Sequence, residues 1–189
     1  YEISACLVGS EMCIRDSREG DLCSFCERAK HDFDRAFVVF SYEEPIKEII
    51  KGYKFSGRRY YGERFFDIMA QKLPPRVAES ISVVTSVPLH PRRFKQRGFN
   101  QSEILARGVA KRLGIEYDEL LKRTVYTRKQ SLRKEHQSMN GCFEALKNVY
   151  GNVLLIDDVL TTGSTADGCA SELKAAGAER VYVLTLAGG

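Results

Sequence analysis

The chain has 189 residues, 43% of them apolar, 29% charged and 10% aromatic, which suits one globular domain with a small appendage. No apolar run approaches the roughly 18 residues that a membrane-spanning helix needs, so membrane insertion is not expected. The formal charge is +4, but between His90 and Glu135 thirteen Lys or Arg stand against five acidic residues, an excess of eight; this points to a polyanionic partner, a phosphorylated small molecule or nucleic acid, or else to a solvated basic face.

The opening stretch, Ile3 to Ser17, shows neither periodicity nor a helix cap, and resembles translated adapter sequence. Residues 1–17 are therefore expected to be non-native or disordered, and Cys6 and Cys13 receive no role. Cys23-Ser24-Phe25-Cys26 has the ligand spacing for half of a tetrahedral zinc site, and equally that of a chance or packed pair. Cys142 and Cys169 are isolated and read as small core residues of a reduced compartment. No signal peptide of the usual type is present, which makes a cytoplasmic location the default expectation.

From Ala36 to Tyr42 the run AFVVFSY has strand composition. Glu43 to Phe55 carries Ile46, Ile49, Ile50 and Tyr53 at helical spacing, and a second helical segment runs from about Tyr60 to Lys72, closed by Pro74-Pro75. Ile81 to Val87 is a short β-branched run, followed by a loop from Pro88 to Phe99. A helix is expected from Asn100, a good N-cap, with Glu103 three residues on as in a capping box; Leu105, Val109 and Leu113 continue one face, and Gly114 ends it.

The last third is the clearest. Val153 to Ile156 reads as a buried strand with Asp157-Asp158 at its end. A Gly- and Thr-rich loop leads into a helix that presents Ala166, Cys169, Ala170 and Leu173 on one side, and Gly177 stops it. Val181 to Leu186 is another strand. Strand, helix and strand make a βαβ unit, so the class is α/β with parallel pairing.

Ligands of open parallel sheets sit beyond the carboxyl ends of the strands. There the chain places two carboxylates and then Leu160-Thr161-Thr162-Gly163-Ser164-Thr165, feeding a helix N-terminus. Unpaired N–H groups and the helix dipole favour a phosphate at that point, Gly163 permits close approach, and the hydroxyls add donors. The carboxylates repel a phosphate and suit ribose hydroxyls or a divalent cation. Together these describe a ribose 5-phosphate site. The segment lacks G-x-x-x-x-G-K-[ST], and no G-x-G-x-x-G follows the strand.

LLIDDVLTTGSTA, ending at Ala166, closely resembles the diphosphoribosyl signature of type I phosphoribosyltransferases. VPLHPRRFKQRGFNQSEILA, Val87 to Ala106, resembles the block that marks the ComF/GntX branch of that superfamily, and weaker blocks from Tyr53 and Arg128 resemble it too. The resemblance implies a type I phosphoribosyltransferase fold over residues 35–189, with a mostly parallel sheet flanked by helices, behind a truncated zinc-ribbon remnant at 18–34. It implies that Asp157 and Asp158 hold ribose hydroxyls with Mg²⁺ nearby, bound through the substrate. Thr161, Thr162, Gly163, Ser164 and Thr165 would wrap the 5-phosphate, while the loop carrying Arg92, Arg93 and Arg97 lies where related enzymes bind diphosphate. Thr124 to Asn140 would be the loop that closes over the site, with Arg128 and Lys129 as contacts. Asn100 and Gln101 are read as a cap and a packing residue.

The implied activity is transfer or sensing of the phosphoribosyl group of 5-phosphoribosyl diphosphate, or of another sugar phosphate. The alternative is a non-catalytic accessory of competence and DNA uptake that binds single-stranded DNA or nucleotides. ComF-like proteins often open with two C-x-x-C pairs. Cys23 and Cys26 are thus expected to be a remnant, with Zn²⁺ held in an intact full-length protein.

Overall fold

A computed structural model describes residues 31–55, 61–125 and 141–189. The main sheet has four parallel strands: β1 (Arg35–Ser41), β2 (Ile81–Ser86), β5 (Asn152–Leu160) and β6 (Arg180–Gly188), in the order β1-β6-β5-β2. Two further strands, β3 (Leu121–Arg123) and β4 (Phe143–Ala145), form a separate antiparallel ribbon. Helices are α1 (Ile46–Phe55), α2 (Tyr61–Lys72), α3 (Pro75–Ser80), α4 (Pro91–Arg97), α5 (Gln101–Leu113) and α6 (Ser164–Ala175).

The connections fix where the sheet opens. After β2 the chain passes through α5 and returns as an extended segment, whose Tyr117 bridges Val84 in parallel on the edge of β2 away from β5. After β5 it passes through α6 into β6, on the opposite side. Right-handed crossovers that leave in opposite directions lay their helices on opposite faces. The core divides accordingly. Leu105 and Val109 of α5 pack with Leu154, Ile156 and Leu184, whereas Cys169, Ala170 and Leu173 of α6 pack with Val153, Leu155 and Val183. Continuous apolar strands are what a sheet covered on both faces requires. The expected α/β class is the one observed.

Local boundaries differ in four places. Pro74-Pro75 closes α2 but also opens α3, because Pro75 sits at the first helical turn, where its missing N–H costs nothing. The stretch expected as a loop from Pro88 to Phe99 contains α4: His90 caps it by accepting from the Arg92 N–H at 3.2 Å, and Gly98 ends it at φ 80°. Asn100 does cap α5, accepting from the Ser102 N–H at 3.2 Å, but Glu103 pairs with Arg107 at 2.9 Å instead of completing a capping box. Finally, Asp157 and Asp158 do not end their strand, since β5 pairs with β6 out to Leu160. Cys169 is fully buried, as expected of a core thiol, while Cys142 is half-buried.

α2 and α5 touch closely at Gly108, where an added Cβ would lie 2.3 Å from the Phe66 ring. Alanine in a helix interior normally gains up to about 1 kcal/mol over glycine. Here the overlap, at about 1–3 kcal/mol for an overpacked contact, outweighs that gain. Gly108→Ala is expected to lower the melting temperature, and a rise would show that Phe66 yields freely.

Candidate functional site

β2 accompanies β5 as far as the Ser86–Ile156 pair, and the Val87 N–H still donates to the Ile156 carbonyl at 3.0 Å. Past that point the chain of β2 turns away. β5 keeps β6 on one side and gains an open crevice on the other, at the point where the crossovers diverge. Ligands of open α/β sheets gather at such a switch point. A cavity of about 290 Å³ lies there, and Asp157, Asp158, Arg93, Arg97 and Thr165 all line it.

Asp157 is held by two donors on one oxygen: the Ser102 hydroxyl and the Asp158 N–H reach its Oδ1, each at 2.8 Å. Asp158 beside it is 5% exposed. Ser102 is buried in the first turn of α5, directly after the cap. Asn100 in that cap also donates through Nδ2 to the Val87 carbonyl at 3.1 Å. The first turn of α5 therefore ties the loop after β2 to the acidic pair on β5. The Gln101 carbonyl accepts from the buried Tyr53 hydroxyl at 3.2 Å, and its side chain accepts from Arg97. Asn100 and Gln101 thus act as cap and packing residue, and they also line the cavity.

Leu160 leads into the loop of Thr161, Thr162 and Gly163. Thr161 and Thr162 are exposed, and their loop borders the helix whose Thr165 faces the cavity. Gly163 is the N-cap of α6 at φ 78°, a left-handed conformation that favours glycine, and it has no side chain to cap the helix, whose Ser164 N–H makes only a long contact, 3.5 Å, to the Thr162 hydroxyl. Thr162 and Ser164 hydroxyls lie 2.9 Å apart. The first-turn carboxylate, Asp167, is drawn to the segment before β1, where His31 Nδ1 lies 2.8 Å from one oxygen and the Asp32 N–H donates to the other at 2.9 Å. The helix start thus keeps donors that an anion satisfies.

Cations converge from three elements: Arg93 and Arg97 from α4, Lys51 from α1, and Arg123 from β3. Burial lowers the pKa of Arg97; Asp158 opposes that shift and Arg93 adds to it. Burial also lowers that of Arg123, helped by Arg93 and countered by Cys142, Cys169 and Asp157. Both remain guanidinium cations at neutral pH, partly desolvated and therefore strong anion partners. At the edge of this cluster His90 is pushed down, by desolvation and then by Arg92, Arg123 and Arg93. Arg92 itself lies on the exposed side of α4 and does not line the cavity.

Sequence reading alone passed over Ser102, Lys51, Tyr42 and Arg123. Arg123 had no usable local signal, because a three-residue strand is too short to show alternation. Antiparallel pairing with Phe143, over which its guanidinium stacks at 5.3 Å, directs it to the site. Cys6, Cys13, Cys23, Cys26, Arg128 and Lys129 lie outside the described residues. Among the described residues no three His, Cys, Asp or Glu are grouped to hold a metal ion. The Asp157–Asp158 pair fits Mg²⁺ in one way, as one or two carboxylates that leave the other positions to substrate oxygens and water. No helix among the described residues is long and apolar enough to cross a membrane.

No family model matches the chain. The DNA utilization protein YhgH of Escherichia coli is 31% identical over 173 residues, covering 87% of this chain and 76% of that protein. Competence protein F of Haemophilus influenzae is 27% identical over 179 residues, covering 87% and 77%. Among solved structures, one described as the allosteric regulatory enzyme of purine biosynthesis superposes at TM-score 0.49 with 19% identity, over 71% of this chain and 29% of that one. The extent of the match to the Escherichia coli protein shows that the chain belongs to the ComF/GntX family.

Proposed function

We propose that the cleft binds 5-phosphoribosyl diphosphate with Mg²⁺ and that the protein transfers or senses the phosphoribosyl group. One observation carries the reading: paired carboxylates, an uncapped helix start and three arginines share a single crevice, each matching a different part of that molecule. In this reading the 5-phosphate takes the amides and hydroxyls of the Gly163 loop, and the ribose hydroxyls donate to Asp157 and Asp158. The diphosphate lies against Arg93, Arg97 and Arg123. Asp157 and Asp158, with substrate oxygens, would hold Mg²⁺, which would neutralise charge on the diphosphate.

The chain's own residues position and stabilise. Fixing the sugar at two ends restricts the anomeric carbon to one orientation for attack. Carboxylates under the ring favour the positive charge that develops there, and guanidinium groups favour the negative charge leaving. No protein nucleophile is required.

Diphosphate release with Mg²⁺ and a panel of amines and bases, beside calorimetric titration with 5-phosphoribosyl diphosphate, tests the proposal. Saturable binding that needs Mg²⁺ supports it, and no binding under any condition overturns it. A second reading, a non-catalytic DNA accessory, is favoured by the names of the two relatives and by the exposed Arg92 and Lys95 of α4. Retention of single-stranded DNA that falls steeply with salt, without diphosphate release, would select it.

Ser102 offers a sharper test. Ser102→Ala removes a donor that orients Asp157, and a hydrogen bond to a charged group is worth about 1.5–3 kcal/mol. Ribose 5-phosphate affinity is expected to fall about tenfold or more, measured by calorimetry. Unchanged affinity would show that Asp157 needs no such support.

A further inference from the structure

The main sheet has two edges, and the chain treats them differently. At β2 the outer edge is covered: the Val84 N–H donates to the Glu116 carbonyl and the Asp118 N–H to the Val84 carbonyl, each at 2.9 Å. β1 has no such cover among the described residues. The Tyr42 N–H donates to the Gly188 carbonyl of β6 at 2.9 Å, which fixes the phase of that ladder. Even-numbered residues of β1 turn their backbone groups to β6, so Arg35, Phe37, Val39 and Ser41 turn theirs outward. None of those N–H and C=O groups has a hydrogen-bond partner among the described residues. We propose that this edge joins a second copy of the chain, β1 pairing antiparallel with the partner's β1 across a two-fold axis, so that the two sheets become continuous.

Open edges ordinarily carry a lysine, a proline or a bulge that keeps other strands away. Ala36 to Tyr42 has no charged residue and no proline, and its ladder with β6 runs without a register shift. The strand is also its own complement, which an interface built on a two-fold axis requires. With the axis at Val38, Phe37 falls opposite the partner's Val39, an aromatic and β-branched pair of the kind that stabilises antiparallel strands. Val38 then meets the partner's Val38. Ala36, Val39 and Phe40 are only half-buried in the single chain, and this pairing covers them. Charge fits at the ends. Arg35 lies opposite the partner's Ser41, one diagonal step from the partner's exposed Glu43, and the axis makes that pair twice. Neither Arg35 nor Glu43 has an ion-pair partner among the described residues. An unrelated strand would match the hydrogen bonds but not this set of side chains.

Sedimentation of the whole chain over a broad range of concentration tests this, and a dimer that dissociates on dilution is expected. Arg35→Glu or Glu43→Arg alone sets like charges together at both ends and should weaken association about tenfold. Combining Arg35→Glu with Glu43→Arg restores opposite charges. Association should then return to the parent level, a recovery that damage to the fold would not produce. Hydrogen exchange locates the contact: the Phe37 and Val39 amides should be protected in the dimer and exchange faster on dilution. A monomer at every concentration overturns the proposal, whether those amides exchange freely or another segment of the same chain protects them. So does a dimer that is indifferent to the single reversals, or one that the double variant fails to restore.

Discussion

Asp158→Asn is expected to abolish nearly all diphosphate release while leaving the fold intact. Asparagine conserves volume at a site that is 5% exposed, so packing is preserved and the melting temperature should move little. What disappears is the negative charge beside Arg97 and, under the proposed function, one strong acceptor for a ribose hydroxyl. Ground-state affinity for ribose 5-phosphate should fall about tenfold or more, as for a hydrogen bond to a charged group. Turnover should fall further, about a hundredfold or more, because in the proposed reaction the carboxylate would also face positive charge that grows only in the transition state. Calorimetry and a diphosphate-release assay separate the two losses. Parent-level turnover in Asp158→Asn would remove Asp158 from the chemistry; a loss of affinity alone would favour sensing over transfer.

The largest effect on stability is expected from Leu154→Ala. Leu154 is fully buried in the central strand β5, within the cluster that α1, α2 and α5 form on one face of the sheet. Truncation removes apolar contacts and leaves a void that a close-packed sheet cannot refill, which costs about 2–5 kcal/mol. For a chain of this size that corresponds to a melting temperature lower by roughly 5–15 °C, read by thermal or denaturant unfolding. At low temperature, where the variant stays folded, ribose 5-phosphate affinity should be near that of the parent. A drop smaller than about 1 kcal/mol would mean that the cluster collapses around the gap.

The two predictions probe different links between sequence and function. Leu154 lies on a continuous apolar run, Val153 to Ile156, and its burial could be read from that run alone. So could the helix start after it, because Gly163 and the small residues that follow it mark where the loop becomes α6. The α4 helix shows the opposite case. Read as part of a loop, it opens at Pro91 and is ended by Gly98, and the segment between them is too short and too charged for periodicity to reveal a helix. Its arginines were legible as cations, whereas their division, with Arg93 and Arg97 on the cleft and Arg92 on the exposed side, follows from the helical turn.

By itself, the sequence determined the α/β class, the parallel strand–helix–strand unit and the place of the acidic pair and the Gly- and Thr-rich loop at a helix start, because these depend on patterns within a dozen consecutive residues. Tertiary structure decided what lies opposite them. The divergence of the crossovers on either side of β2 and β5 opens the crevice, the buried turn of α5 brings Ser102 to Asp157 across 55 residues of chain, and the β3–β4 ribbon delivers Arg123. Contacts at such separations are set by topology and packing, on which local propensity is silent.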